Sequence, residues 1–122
     1  RLFASDDLED VLAALQREES EWAQAQLESL ACKSPQACKV SLRMLYDGAL
    51  MTDFADEMRQ EYAVATRVVQ RPDFVEGVRA LLVDKDNQPV WDPPTPDAVT
   101  TRMLDRIFAP MPAGEEWTPL RL

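Results

Sequence analysis

Histidine is absent from this chain, which excludes a serine or cysteine nucleophile activated by a histidine of its own. Cysteine is scarce too. Cys32 and Cys38 stand alone, and two sulfurs without an imidazole fall short of the roughly four ligands that zinc takes. Three scattered glycines, Gly48, Gly77 and Gly114, cannot build a loop that cradles phosphate. No apolar run approaches the ~20 residues of a membrane span, and no signal-peptide pattern is present. Positive charge is short as well: 13 Lys and Arg face 22 Asp and Glu, for a net charge of −9. Such a surface repels nucleic-acid phosphates. Metal, membrane and nucleic acid are therefore not expected as partners.

What remains is a chain of 122 residues, 46% hydrophobic and 29% charged, enough for one domain with one real core. The acidity is concentrated. Residues 1–30 carry −6 of the −9, so any anion-binding surface belongs to the remainder. The two cysteines fall in or beside helical patterns and read as small core residues of a reducing compartment rather than a disulfide. The chain opens on Arg1 instead of methionine, which reads as a fragment, a processed product or a trimmed form.

The periodicity predicts an all-α fold of five or six helices and no useful strand alternation. The first helix runs from about Asp7 to Glu19 on Leu8, Val11, Leu12 and Leu15, capped by Ser5 or Asp6. The second covers Glu21 to Cys32 with Ser20 as cap, turning Trp22, Leu27, Leu30 and Ala31 inward. Ser34-Pro35 opens the third, a capping hydroxyl before a proline whose missing N–H is harmless there. Its stripe is Cys38, Leu42, Leu45 and Ala49, widened by Val40 and Met44, and Gly48 with Thr52 marks its break. The fourth spans Asp53 to Arg71 on Phe54, Met58, Tyr62, Ala65 and Val69, and Pro72 ends it. In the fifth, Asp73 caps and Glu76 reaches back as in a capping box, with Val75, Val78, Leu81 and Leu82 as the apolar side. A charged turn at 84–88 and a proline-rich connector lead to a sixth helix from Thr95-Pro96, on Val99, Met103, Leu104, Ile107 and Phe108. Residues 1–109 form the helical domain, and 110–122 an extended, proline-rich tail in which Trp117 points to docking on a surface.

Few constellations carry chemistry. Glu57 and Glu61 share a face without a histidine to complete a metal set, so they read as solvated acids. Asp84, Asp86 and Asn87 resemble the start of a calcium loop, but its central glycine and closing glutamate are missing. Among the cations of the near-neutral part, Arg43 can pair with Asp47 and Arg79 with Glu76. Lys85 stands apart, in a polar turn after a helix end, where it either complements the helix dipole or reaches a phosphate.

The runs "SPQACKVSLRMLYDG" (34–48), "EYAVATRVVQRPDFVEGVRALLVDKDNQPVWDPP" (61–94) and "IFAPMP" (107–112) resemble the C-terminal part of the 3-hydroxyisobutyryl-CoA hydrolase group. That group belongs to the enoyl-CoA hydratase/isomerase (crotonase) superfamily. The resemblance covers residues 30–112; the stretch before Lys85 matches the wider superfamily with a residue of slack. Ala37, Cys38 and Asp92 depart from the usual pattern.

The resemblance implies an enzyme whose oxyanion hole and water-activating acids lie in an N-terminal spiral ββα core. No catalytic residue then falls in this chain, which is inactive alone. Its helices would form a lid and assembly domain that packs on that core, closes over the acyl-CoA substrate and joins a homo-oligomer. Phe74, Glu76, Gly77 and Lys85 stand on the motif positions implied to border the acyl-CoA entrance or contact CoA. Gly77 would let its helix lie tight against a neighbour. No separate cofactor is implied, since CoA is part of the substrate, and the compartment would be the bacterial cytoplasm or the mitochondrial matrix. The same framework also serves as a non-catalytic structural subunit, for instance within a mitochondrial ribosome, which is the alternative.

Overall fold

The computed structural model describes residues 2–120. Six α-helices run through them, with no strand among the described residues: α1 (Leu8–Arg17), α2 (Glu21–Ala31), α3 (Pro35–Leu50), α4 (Phe54–Val68), α5 (Pro72–Val78) and α6 (Thr101–Phe108). A π-helical turn, Arg79–Val83, prolongs α5, and a 3-10 turn, Pro96–Ala98, precedes α6.

The caps show why the helices begin where they do. Asp7, rather than Ser5 or Asp6, caps α1: its carboxylate accepts from the N–H groups of Glu9 and Asp10 at 2.9 and 3.2 Å. Those hydrogen bonds, the Asp10 N–H foremost, hold the Asp7 carboxyl below its ordinary range. Ser5 instead accepts from the Asp7 N–H. Ser20 and Ser34 cap α2 and α3 as their spacing predicts, and Asp53, read as the first residue of the fourth helix, is the cap of α4. Glu19 takes a left-handed φ of 50° and ends the first helix early.

Val11, Leu15 and Ala23 form one buried cluster, with Leu2, Leu27, Leu30 and Leu42 packed against it. Ala23, not Trp22, is the inward residue of α2. Ala23, Leu27 and Leu30 recur at helical spacing, which leaves Trp22 53% exposed and edge-on to Phe3. Ala31 and Cys32 are likewise exposed, and both cysteines are free thiols. Cys38 is half-buried, which pushes its thiol up.

A second cluster joins Val40, Val64 and Ile107, flanked by Met44, Val68, Leu104 and Phe108. It corrects two stripes. On α3 the buried side is Val40 with Met44, while Leu45 and Ala49 face solvent, and the helix continues through Gly48 to Leu50. On α4 the buried pair is Ala63 and Val64; the more conspicuous stripe points outward, with Phe54 71% exposed and Tyr62, Ala65 and Val69 exposed beside it. α4 also stops at Val68, before Pro72.

Charged side chains stitch the clusters together. Lys39 on α3 meets Glu9 of α1 at 2.6 Å and the Val99 carbonyl at 3.4 Å. Arg43 lies over the Phe108 ring at 4.5 Å, pairs with Asp105 at 2.8 Å and with Asp47 at 3.7 Å. Arg67 donates to the carbonyls of Ile107, Ala109 and Pro110, the unpaired acceptors at the end of α6. The sixth helix starts at Thr101 rather than at Thr95-Pro96. Val99 is extended and buried, and the Thr100 hydroxyl supplies the cap. The half-buried Trp117 stands in the irregular segment after α6.

Candidate functional site

The motif residues gather on α5 and on the strap, residues 88–94, that returns over it. Arg71 is extended and Pro72 occupies the first helical position, so Asp73 already lies inside the helix and does not cap it. Its carboxylate, on a residue 8% exposed, instead accepts from the Ser34 hydroxyl at 2.5 Å and the Asp92 N–H at 2.7 Å. Ser34 in turn accepts from the Ala37 N–H. One buried carboxylate therefore ties the start of α3, α5 and the strap.

Glu76 likewise does not reach back to close a capping box. Its two oxygens receive the Arg79 guanidinium through Nε and Nη2 at 2.9 and 2.7 Å, and one also accepts from the Val90 N–H at 2.8 Å. Arg79 donates besides to Asp84 and Asp86, at 2.7 Å each, and to the Gln88 carbonyl at 3.3 Å. The π turn makes this reach possible, because the Asp84 N–H returns to the Arg79 carbonyl at 2.8 Å. A forked guanidinium suits this role, since its donors diverge in one plane.

The Arg79 hydrogen bonds, with that of the Val90 N–H, hold the Glu76 carboxyl at about 2, against an ordinary 4.5. Arg79, then the Gln88 N–H, lowers Asp86 as well, and these carboxylates raise Arg79 further. A carboxyl whose pKa falls on folding contributes stability above its unfolded value and loses it as pH drops through the folded one. The 84–90 loop is therefore expected to stay closed at neutral pH and to open between about pH 4.5 and 2. Amide exchange at Gln88 and Val90 reads this directly. Loss of protection already at pH 6 would contradict it.

Gly77 faces Trp91. A Cβ built on Gly77 would stand 3.5 and 3.6 Å from the indole ring, and the indole N–H donates to the Cys32 carbonyl at 3.2 Å. The neighbour that approaches this glycine is thus the protein's own strap. Those distances are ordinary contacts, so Gly77→Ala is expected to raise stability by about 0.5 kcal/mol through helix propensity. Gly77→Leu should displace the indole and shift Trp91 fluorescence to the red. A destabilised Gly77→Ala variant in thermal melts would refute the contact.

The four motif residues do not converge. Glu76 and Gly77 point to the strap, whereas Phe74 is 48% exposed on an outward face shared with Val75, Val78, Leu81 and Leu82. Lys85 lies beyond, at a left-handed φ of 55°, between two aspartates held by Arg79. Its ammonium makes no ion pair among the described residues, because the acids beside it are already taken. Sequence reasoning overlooked Arg79 as the hub and Asp73 as the tie. The Glu76–Arg79 spacing was the one local signal; the others depend on a folded-back loop. No group of three or more Cys, Asp or Glu among the described residues could hold a metal ion.

The family model described as enoyl-CoA hydratase/isomerase matches residues 1–108, the whole of α1 to α6. The chain belongs to the enoyl-CoA hydratase/isomerase family. Within it, the mitochondrial 3-hydroxyisobutyryl-CoA hydrolase of Dictyostelium discoideum is 33% identical, over 95% of this chain and 31% of its own length. That of Gallus gallus is 34% identical, over 90% and 28%. A solved carnitinyl-CoA dehydratase of Mycobacterium thermoresistibile superimposes with a TM-score of 0.84 at 33% identity, covering 92% of this chain and 32% of that one. An enoyl-CoA hydratase of Rhodobacter sphaeroides gives 0.83 at 31% identity, over 91% and 33%. The chain spans about three tenths of the length of these relatives. The all-α reading and the resemblance to the hydrolase group are both borne out, and the homology is to the C-terminal region of such enzymes.

Proposed function

We propose that residues 1–109 are the C-terminal helical domain of a CoA-thioester hydrolase acting on a 3-hydroxyacyl-CoA such as 3-hydroxyisobutyryl-CoA. The segment from Pro110 onward forms its extended tail, of which Arg121 and Leu122 lie outside the described residues. The observation that carries this reading is the outward apolar face of α5 and its π turn, Phe74, Val75, Val78, Leu81 and Leu82, the last 68% exposed. A face of this size on a soluble domain calls for a cover. The protein's own N-terminal core and the acyl-CoA beside it fit that need, with further copies joining in a homo-oligomer. Phe74 then borders the acyl-CoA entrance. Glu76 and Gly77 serve it indirectly, by fixing the strap, and Lys85 offers an unpaired ammonium to CoA phosphates.

Hydrolysis in this reading uses water activated by acids of the core and no metal or separate cofactor. The mitochondrial names of the relatives support the mitochondrial matrix for a eukaryotic source, and the cytoplasm stands for a bacterial one. A thioesterase assay with 3-hydroxyisobutyryl-CoA, run on this chain alone and on the complete polypeptide, tests the proposal. Turnover is expected only from the complete polypeptide, unchanged by a chelator. There, Lys85→Ala should raise KM by about threefold with kcat unchanged. Activity in the chain alone would sink the division of labour. An inactive complete polypeptide would leave the structural-subunit reading.

A further inference from the structure

A cleft of about 340 Å³ opens between α1, α2, the start of α3 and the strap. Its walls include Leu12, Leu27, Leu30, Trp91 and Pro94, and Lys33 is the only charged residue in its lining. That is notable in a chain of net charge −9 whose first thirty residues hold most of the acids. The neighbouring depression between α1 and α2, by contrast, is lined by Glu19, Glu21 and Glu28. Lys33 is exposed, and its ammonium makes no ion pair or hydrogen bond among the described residues.

The cleft is built rather than incidental. Trp91 is fixed at one end by its hydrogen bond to the Cys32 carbonyl and on one side by Gly77. The adjoining Asp92 N–H is held by Asp73. The wall formed by the strap is therefore set before any ligand arrives, which lowers the ordering cost of binding.

We propose that this cleft binds a medium-chain carboxylate. The alkyl chain lies between the leucines and the indole, and the head group meets the Lys33 ammonium. The volume stands near the lower end of small-ligand pockets, about 300 Å³, which suits a chain on the order of eight carbons. An apolar chain alone gains from the walls, and an acid head group alone finds a single exposed lysine. Only the combination uses the whole lining. The inference shares only the strap with the hydrolase reading, since none of these residues lies on the outward face of α5.

Calorimetric titration of the purified protein with sodium octanoate tests it, with octan-1-ol as a neutral control. Saturable octanoate binding at one site is expected, tighter than octanol and accompanied by a shift of the Trp91 indole N–H resonance. Lys33→Gln, a change at an exposed side chain, should weaken octanoate about fivefold and leave octanol unaltered. Ala31→Phe, from an exposed position in the lining, should remove both. Equal affinity for octanol and octanoate would overturn the proposal. So would an unaffected Lys33→Gln variant, or the absence of saturable binding.

Discussion

Asp73→Ala is expected to destabilise the protein by about 2–3 kcal/mol, lowering the thermal midpoint by about 10 °C. The substitution removes the acceptor that joins Ser34 to Asp92. The Ser34 hydroxyl keeps its bond from the Ala37 N–H but loses the place for its own proton, and the Asp92 N–H is left without its acceptor. Stranding a buried donor such as the Ser34 hydroxyl costs more than the average worth of the bond itself. Asp73→Asn should lose less, because its carbonyl oxygen still accepts from Asp92, and its amide can donate to Ser34, which has a second lone pair. Thermal and urea melts of the two variants measure the difference. Equal losses for alanine and asparagine would mean that charge, and not the two bonds, is what matters there.

Leu15→Ala should cost about 3 kcal/mol. Leu15 is 1% exposed and one of the two largest fully buried side chains, packed with Val11 and Ala23 where α1 crosses α2. Truncation opens a cavity that two short helices cannot close by sliding, because Asp7 and Ser20 fix their starts. The loss should be local in its first effects. Amide exchange ought to quicken in α1 and α2 before it does around Val40, Val64 and Ile107, which form their own cluster. Uniform acceleration across both clusters would show that the two behave as one cooperative core.

The helix starts were legible where cap and helix are neighbours in sequence, as at Ser20 and Ser34. The choice of buried face was not. α4 carries two apolar sets, and periodicity marks a helix without saying which set meets the rest of the fold. The stronger pattern, from Phe54 to Val69, faces outward, and the quieter Ala63 and Val64 hold the core. Thr95-Pro96 misled in another way: it does start a turn, but a 3-10 turn that ends so that Val99 can be buried. Asp73 and Arg79 were readable only as local helix residues. The partners of Asp73 lie 39 and 19 residues away, and those of Arg79 depend on a loop that doubles back.

The π turn at Arg79–Val83 has a bearing on descent. A helix that widens for one turn absorbs a single inserted residue without rephasing the face before it or the segment after it. Insertion or deletion there would be taken up inside the turn, leaving Gly77 against Trp91 on one side and the loop bearing Lys85 on the other. Length variation before Lys85 is thus where this branch of the superfamily could diverge in sequence while its architecture stayed in register.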